Sequence, residues 1–300
     1  MDNKEFLVTV ADAGKRLDVF LAEKTGFSRS HVNKLIKSGA VFRRRKAGYQ
    51  VKEGEKVIVE NCCYPEAAGF TQPMPKVVYE DDFLLVFNKP AGLVVPLDFH
   101  HPASTLADYL HEAYPQAEIV HRLDKDTSGV ILVAKDQKTA EILRKQFQER
   151  QIKKEYLALV TGKLEPEQGI IKAPLSRSLR DRQKIDVSAS LKAKAAITKY
   201  QVKSHLGKFT LAKVEILTGR THQIRVHFGA IGFPVAGDKT YGNKKINESL
   251  KKKAGLSRQF LHAEKITFSH PATGKQMVVK APLPSDLKSA LAKLKSDDSK

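Results

Sequence analysis

Between residues 77 and 268 the chain holds a succession of apolar runs of strand length with no regular helices between them. This pattern limits the available folds more than any other feature. Val77 to Lys89 alternates and stops at Pro90-Ala91-Gly92. Val130 to Lys135, Tyr156 to Val160, Ala195 to Lys203, Phe209 to Leu217 and Phe260 to Phe268 read as further strands. Helical periodicity is confined to Thr105 to Tyr114 and the amphipathic stretch Thr139 to Glu149. A doubly wound parallel sheet needs a crossover helix between successive strands. Clustered strands instead predict an α+β fold with a mixed, mostly antiparallel sheet and flanking helices. No apolar run reaches the ~18 residues of a membrane-spanning helix. The start carries Asp2, Glu5 and Asp12 and lacks the apolar stretch of a secretory signal. Cys62 and Cys63 are adjacent and cannot build a framework of long-range bridges. A cytoplasmic protein without membrane association is the simplest reading.

Residues 1–60 read as a small α/β module. Leu17, Phe20 and Leu21 repeat at helical spacing, and a second helix carries Val32, Leu35 and Ile36 on one face before Gly39 ends it. Ala40 to Phe42 and Lys56 to Val59 read as short strands. His31, Lys34 and Lys37 lie off the apolar stripe, and Arg29 and the run Arg43-Arg44-Arg45-Lys46 add further positive charge, so this module offers a phosphate-tracking surface. The stretch RLDVFLAEKTGFSRSHVNKLIKSGAV resembles the small RNA-binding domain of the S-four type, although Phe42-Arg43-Arg44-Arg45 stands where that family has a valine-asparagine-glycine turn. Residues 61–76, with three prolines and no periodicity, read as a linker to a domain spanning 77–284. Residues 285–300 suggest a helix that frays into a polar tail. The net charge of +19 is spread along the whole chain, which suits a polyanionic partner such as nucleic acid.

The nonapeptide His121 to Gly129, HRLDKDTSG, is a polar turn between apolar runs, the kind of place where rigid strands can fix a reactive side chain. Two other segments belong with it: Lys153-Lys154-Glu155-Tyr156-Leu157-Ala158, and Thr218-Gly219-Arg220-Thr221-His222-Gln223-Ile224-Arg225-Val226-His227. Together they resemble the catalytic motifs of pseudouridine synthases of the ribosomal large-subunit type, the RluA family. The segments YEDDFLLVFNKPAGLVV, APLSRSLRDRQKI, GDKTYG and FLHAEKITFSHPATG match further family segments in the same order, from about residue 77 to 284. The resemblance implies the pseudouridine synthase fold and isomerisation of uridine in RNA without cofactor or metal. It further implies ribosomal RNA as partner, with transfer RNA as the alternative, and we expect a monomer.

By the same resemblance Asp124 is the essential carboxylate, Arg225 its paired guanidinium and Tyr156 the active-site tyrosine. The roles are chemically reasonable. Detaching a base leaves an electron-poor sugar carbon that a carboxylate can stabilise or attack. An arginine keeps such a carboxylate ionised and oriented. A tyrosine ring can stack on uracil while its hydroxyl joins in proton transfer. The second carboxylate of the turn, Asp126, is assigned to the surface or to loop support. Arg122 is a candidate to fill the gap left by an extruded nucleotide. Thr127, Ser128 and Gly129 are expected to shape the turn that presents Asp124, and Thr127, Arg220, His222, Arg177 and Arg182 are further candidate RNA contacts. His222 and His227 lack the HExxH spacing of a metal site, and no CxxC occurs. Two readings of a different class remain beside the synthase. A non-catalytic RNA-binding ribosome-assembly factor would have no reason to keep Asp124, Tyr156 and Arg225 together. A retaining glycosidase would need two carboxylates roughly 5–5.5 Å apart.

Overall fold

The computed structural model describes residues 4–25, 32, 33, 35, 36, 39–41, 46–59, 75–96, 105–178, 181 and 184–298. Arg29, His31, Lys34, Lys37, Arg43, Arg44, Arg45 and Arg182 lie outside the described residues, as do Cys62, Cys63 and the linker up to residue 74. The chain divides into two compact units, one drawn from residues 1–72 and 96–105, the other from 73–95 and 106–300.

In the first unit β1 (Lys4–Leu7) pairs antiparallel with β2 (Lys56–Val59), Phe6 opposite Val57. Helix α1 (Leu17–Thr25) turns Leu17, Phe20 and Leu21 inward, where they meet Val32, Leu35 and Ile36. Both triplets recur at three- and four-residue spacing, so each presents one apolar stripe to a common core with Val41, Val51, Val57 and Val59.

The second unit is built on a large sheet. Its strands are β3 (Lys76–Glu80), β4 (Leu84–Lys89), β5 (Glu118–Ile119), β6 (Ser128–Ala134), β7 (Lys153–Thr161) and β8 (Gln168–Lys172). A separate ribbon, β9 (Leu175–Arg177) with β10 (Ile185–Val187), follows. Then come β11 (Ile197–Leu206), β12 (Phe209–Ile216), β13 (Leu261–Ser269) and β14 (Gln276–Lys280). The sheet order is β3-β4-β6-β13-β7-β12-β11-β8, with β5 beside β6 and β14 beside β13. Among the described residues β6 and β13 are the parallel pair and the other pairings are antiparallel, as the strand clustering predicts.

Strand β6 is buried along its whole length, hence the unbroken apolar run Val130 to Ala134. Val130, Leu132 and Ala134 pack with Leu84 and Val86 against Ala140 and Leu143 of α3 (Gln137–Gln148). That helix starts at Asp136, whose carboxylate accepts from the Thr139 amide. Alternate residues face the other way, where Phe87 of β4 meets Tyr109 of α2 (Leu106–Ala113) edge-on at 6.0 Å. Helix α4 (Gln223–Ala230) precedes α5 (Lys244–Ala254), and α6 (Ser285–Asp298) closes the chain. Leu250 and Ala254 of α5 join Leu287, Ala290 and Leu294 of α6 in a core with Leu157, Leu159 and Phe260. No helix among the described residues is long and apolar enough to cross a membrane.

Several elements go beyond the sequence reading, among them β8, β14 and α5. β8 and β14 are short QGIIK and QMVVK segments whose polar ends dilute the strand pattern. Helix α5 carries Ile246, Leu250 and Ala254 at four-residue spacing, but its five lysines obscure that stripe.

The start of β6 is the tightest point of the sheet. Gly129 has φ +118, and a Cβ there would lie 2.2 Å from the Ala263 carbonyl oxygen across the parallel pair. Gly129→Ala should therefore cost about 3 kcal/mol of stability. A urea midpoint equal to that of the wild type would contradict this packing.

Candidate active site

Asp124 sits on the loop between β5 and β6, and that loop is held by its backbone. The Thr127 amide donates to the Asp124 carbonyl at 3.0 Å, closing the turn. The Gly92 amide donates to the Lys125 carbonyl at 2.8 Å. Lys89, fully buried at the end of β4, donates from Nζ to the carbonyls of Pro90, Leu93 and Lys125 at 2.8, 2.9 and 3.0 Å. From the other side Arg258 donates from Nη1 to the Asp126 carbonyl at 3.0 Å and from Nη2 to Ser128 Oγ at 3.3 Å. Asp286 steadies Arg258 through Nε and Nη2, at 2.7 and 3.1 Å. Ser128 Oγ also lies 3.0 Å from Nδ1 of His262, whose Nε2 donates to the Ala281 carbonyl. The loop that carries Asp124 is thus tied to β4, β13 and α6.

Arg225 reaches Asp124 from the first turn of α4. Its Nη1 donates to Asp124 Oδ2 at 3.2 Å. The rest of the fork is bidentate on Asp238: Nε to Oδ2 at 2.7 Å and Nη2 to Oδ1 at 3.0 Å. Side-chain exposure falls from 17% at Asp124 to 7% at Arg225 and 0% at Asp238. Burial pushes the Asp238 carboxyl up, but the Arg225 guanidinium and the amides of Tyr241 and Thr240 outweigh it and hold it below the usual carboxylate range. Burial also opposes the charge on Arg225, yet Asp238 and Asp124 together raise it above its ordinary value. The Tyr241 ring lies 5.1 Å from the guanidinium carbon. Its hydroxyl accepts from the Ile185 amide at 2.9 Å and lies 2.9 Å from His222 Nδ1, which brings the β9-β10 ribbon to the site. His222 adopts a left-handed conformation at the start of α4. Burial pushes its pKa below the ordinary imidazole value, and the charge of Arg225 acts in the same direction against Asp124 and Asp238. Tyr156 is buried on β7, and burial followed by the charge of Asp124 pushes its phenol up.

The segment around Arg220 is organised by Gln223. The buried Gln223 side chain accepts from Thr218 Oγ1 and the Arg220 amide, and donates to the Ile197 carbonyl and Thr198 Oγ1. That exhausts the ordinary capacity of a carboxamide. His227 is also structural: Nε2 donates to the Ala173 carbonyl while Nδ1 pairs with Thr198. His121 accepts from the Leu132 amide and packs on Phe147, and burial followed by the charge of Lys154 pushes it down to about 3.

Asp124, Arg225, Tyr156 and His222 therefore converge, with Arg122 exposed on the loop and near enough for its charge to bear on His222. Arg220 and Arg177 are exposed, the latter at the end of β9. Thr127 does not fit an RNA contact. It is 2% exposed and its hydroxyl accepts from Gln259, so it belongs to the foundation of the loop. Sequence reasoning passed over Asp238, Tyr241, Lys89, Arg258 and Gln259. Asp238 and Tyr241 stand in GDKTYG and Lys89 in NKPAG; a charged residue flanked by turn glycines or prolines beside apolar strands was the available signal.

Residues 83–230 match the family described as RNA pseudouridylate synthase. The ribosomal large subunit pseudouridine synthase C of Haemophilus ducreyi is 37% identical, over 97% of this chain and 96% of that protein. The ribosomal large subunit pseudouridine synthase D of Xanthomonas campestris is 36% identical, over 99% of this chain and 94% of that protein. The solved structure of human RNA pseudouridylate synthase domain containing 1 superposes with a TM-score of 0.60 at 29% identity, covering 72% of this chain and 87% of that one.

Neutralising Asp238 should leave Arg225 buried with too little counter-charge. Asp238→Asn is expected to destabilise the fold by about 3 kcal/mol at neutral pH and to lower turnover. The folded-state pKa of Asp238 lies below its unfolded value. Its contribution is therefore present above about pH 4 and fades as acid protonates the folded carboxylate. Urea titrations at pH 7 and at pH 3 should show a gap between wild type and variant that narrows in acid. A constant gap would refute the assignment.

Proposed function

This chain belongs to the RNA pseudouridine synthase family, isomerases that convert uridine in RNA to pseudouridine, and we propose that Asp124 is its catalytic carboxylate and large-subunit ribosomal RNA its substrate. The observation that carries the first assignment is how the Asp124 oxygens are used. Oδ2 is held by Arg225, while Oδ1 has no hydrogen-bond partner among the described residues and is the oxygen left for the ribose. The second assignment rests on relatives that are named for the large ribosomal subunit and align over nearly their whole length.

In the reaction the bond from uracil N1 to ribose C1′ breaks, the base turns, and C5 bonds to the same C1′. The hydrogen on C5 leaves as a proton and N1 gains one. Breaking the first bond makes C1′ electron-poor, and an oriented anionic oxygen stabilises that carbon or bonds to it. Arg225 prevents Asp124 from turning away and Asp238 prevents Arg225 from doing so. The raised pKa of Tyr156 keeps its phenol protonated at neutral pH, so in this reading it donates a hydrogen bond or proton while its ring supports the base. Residues 1–60 act as an accessory RNA-binding module tethered to the catalytic domain, which raises the local concentration of RNA. We place the enzyme in the cytoplasm as a monomer, in keeping with a ribosomal substrate.

Release of tritium from C5-labelled uridine in large-subunit ribosomal RNA measures the reaction. Asp124→Asn should reduce it by about 10²–10⁴-fold or more while RNA still binds. Near-wild-type release by that variant would refute the role. Release from transfer RNA with none from ribosomal RNA would refute the substrate. Tyr156→Phe keeps the ring and loses the hydroxyl, so kcat should fall by roughly 10²-fold with KM little changed. An unchanged kcat would remove the hydroxyl from the chemistry.

A further inference from the structure

We propose that Lys154 and Arg220 form a notch that binds one phosphate of the RNA beside the catalytic residues. This rests on the reading of RNA as substrate. Lys154 and Tyr156 are two residues apart on β7, so their side chains leave the same face of the strand, about 7 Å apart along it. The Lys154 ammonium lies 5.5 Å from the centroid of the Phe147 ring. It also faces Gly219, where an added Cβ would come within 3.6 Å of Nζ. Arg220 is the next residue.

Neither cation has a carboxylate within ion-pair distance among the described residues. The adjacent acid, Glu155, leaves the opposite face of the strand and is engaged by Lys153, Lys213 and Lys265. Burial pushes Lys154 down to about 8, and the charge of Arg220 acts in the same direction. His121, close enough to feel the same lysine, is held neutral and supplies no negative charge. A part-buried lysine beside an arginine is an unfavourable arrangement unless an anion completes it.

Arg220 is prepared to help. Its Nε donates to the Ala195 carbonyl at 3.2 Å and its backbone amide to Gln223 Oε1 at 3.0 Å, which orients the arm. The terminal amines have no hydrogen-bond partner among the described residues, and the side chain is exposed. Ammonium and guanidinium are both positively charged and both donors only, so the notch suits an anionic oxygen acceptor such as a phosphate. A phosphate held there would fix the strand relative to the tyrosine and the carboxylate.

The test pairs Lys154→Gln with substrate RNA in which single phosphates near the target uridine are replaced by neutral methylphosphonates. In the wild type one replacement should raise KM about ten-fold, the worth of one charge-assisted contact. The same replacement should add no further loss in Lys154→Gln. The variant alone should show a similar rise in KM, a salt slope shallower by about 0.7, and partial rescue in Lys154→Arg. If Lys154→Gln does not fold, Arg220→Gln, exposed and outside the core, carries the same comparison. Losses that multiply at every position, or an unchanged KM in the variant, would overturn the notch. Absence of tritium release by the wild type from any RNA would instead overturn the functional reading on which it rests.

Discussion

Arg225 is shared between two carboxylates, and the site depends on how unequally it is shared. Asp238, wholly buried, takes the Nε and Nη2 donors; Asp124 takes Nη1. A guanidinium bound by Asp124 alone would be free to rotate about its long side chain. Bidentate pairing with Asp238 removes that freedom before substrate arrives, as electrostatic preorganisation requires. The partner of the arginine is thus itself immobile, capped by the amides of Thr240 and Tyr241 at 2.8 and 3.0 Å. The triad carries one net negative charge, and that charge is left at its most exposed member.

A fixed arginine would achieve little if the loop opposite it could move. Two cations hold that loop through its carbonyls: Lys89 on Lys125 and Arg258 on Asp126. For Lys89 two effects oppose each other. Burial, with the charge of Arg258, lowers its pKa to about 7 against the pull of Asp124 and Asp126, which favour the charged form. Three carbonyl acceptors match the three donors of an ammonium, and a neutral amine would leave one of them unserved. The contacts therefore favour the cation, which also adds positive potential behind Asp124. Gly129 completes the arrangement. Its missing side chain lets β6 approach β13 closely enough for the loop to begin at the parallel junction of the sheet.

The parts of this design differ in how they write themselves into sequence. Buried strands such as Val130 to Ala134 carry an apolar signal along their whole length, so the sheet class was legible. Asp124, Tyr156 and Arg225 were legible only through motifs, because Asp124 and Arg225 lie 101 residues apart and no periodicity links them. Lys89, Asp238, Gln223 and Arg258 were hidden for a different reason. A polar residue in a short connection is ordinarily solvated, and only the folded chain shows that these serve backbone groups or charges brought from distant segments. Of the two readings of Thr127, turn support and RNA contact, its hydroxyl fits the first, since it accepts from Gln259 inside the protein.

The net charge of +19 and the single negative charge of the Asp124–Arg225–Asp238 group act over different distances. Charges more than about 8–10 Å apart across solvent are largely screened at physiological ionic strength. Lysines spread along the chain therefore set the rate at which a polyanion approaches, but they do not choose its register. Register has to come from donors fixed within bonding distance of the backbone, and it must do so without cancelling the charge on Asp124. Arg225 does not compete for RNA because Asp238 already occupies most of its fork. Arg220, anchored at Nε with its terminal amines outward, has the opposite arrangement. Two arginines five residues apart in one motif are thus separated in function by what binds their Nε: a buried carboxylate turns one into a scaffold, and a backbone carbonyl leaves the other available for an incoming anion.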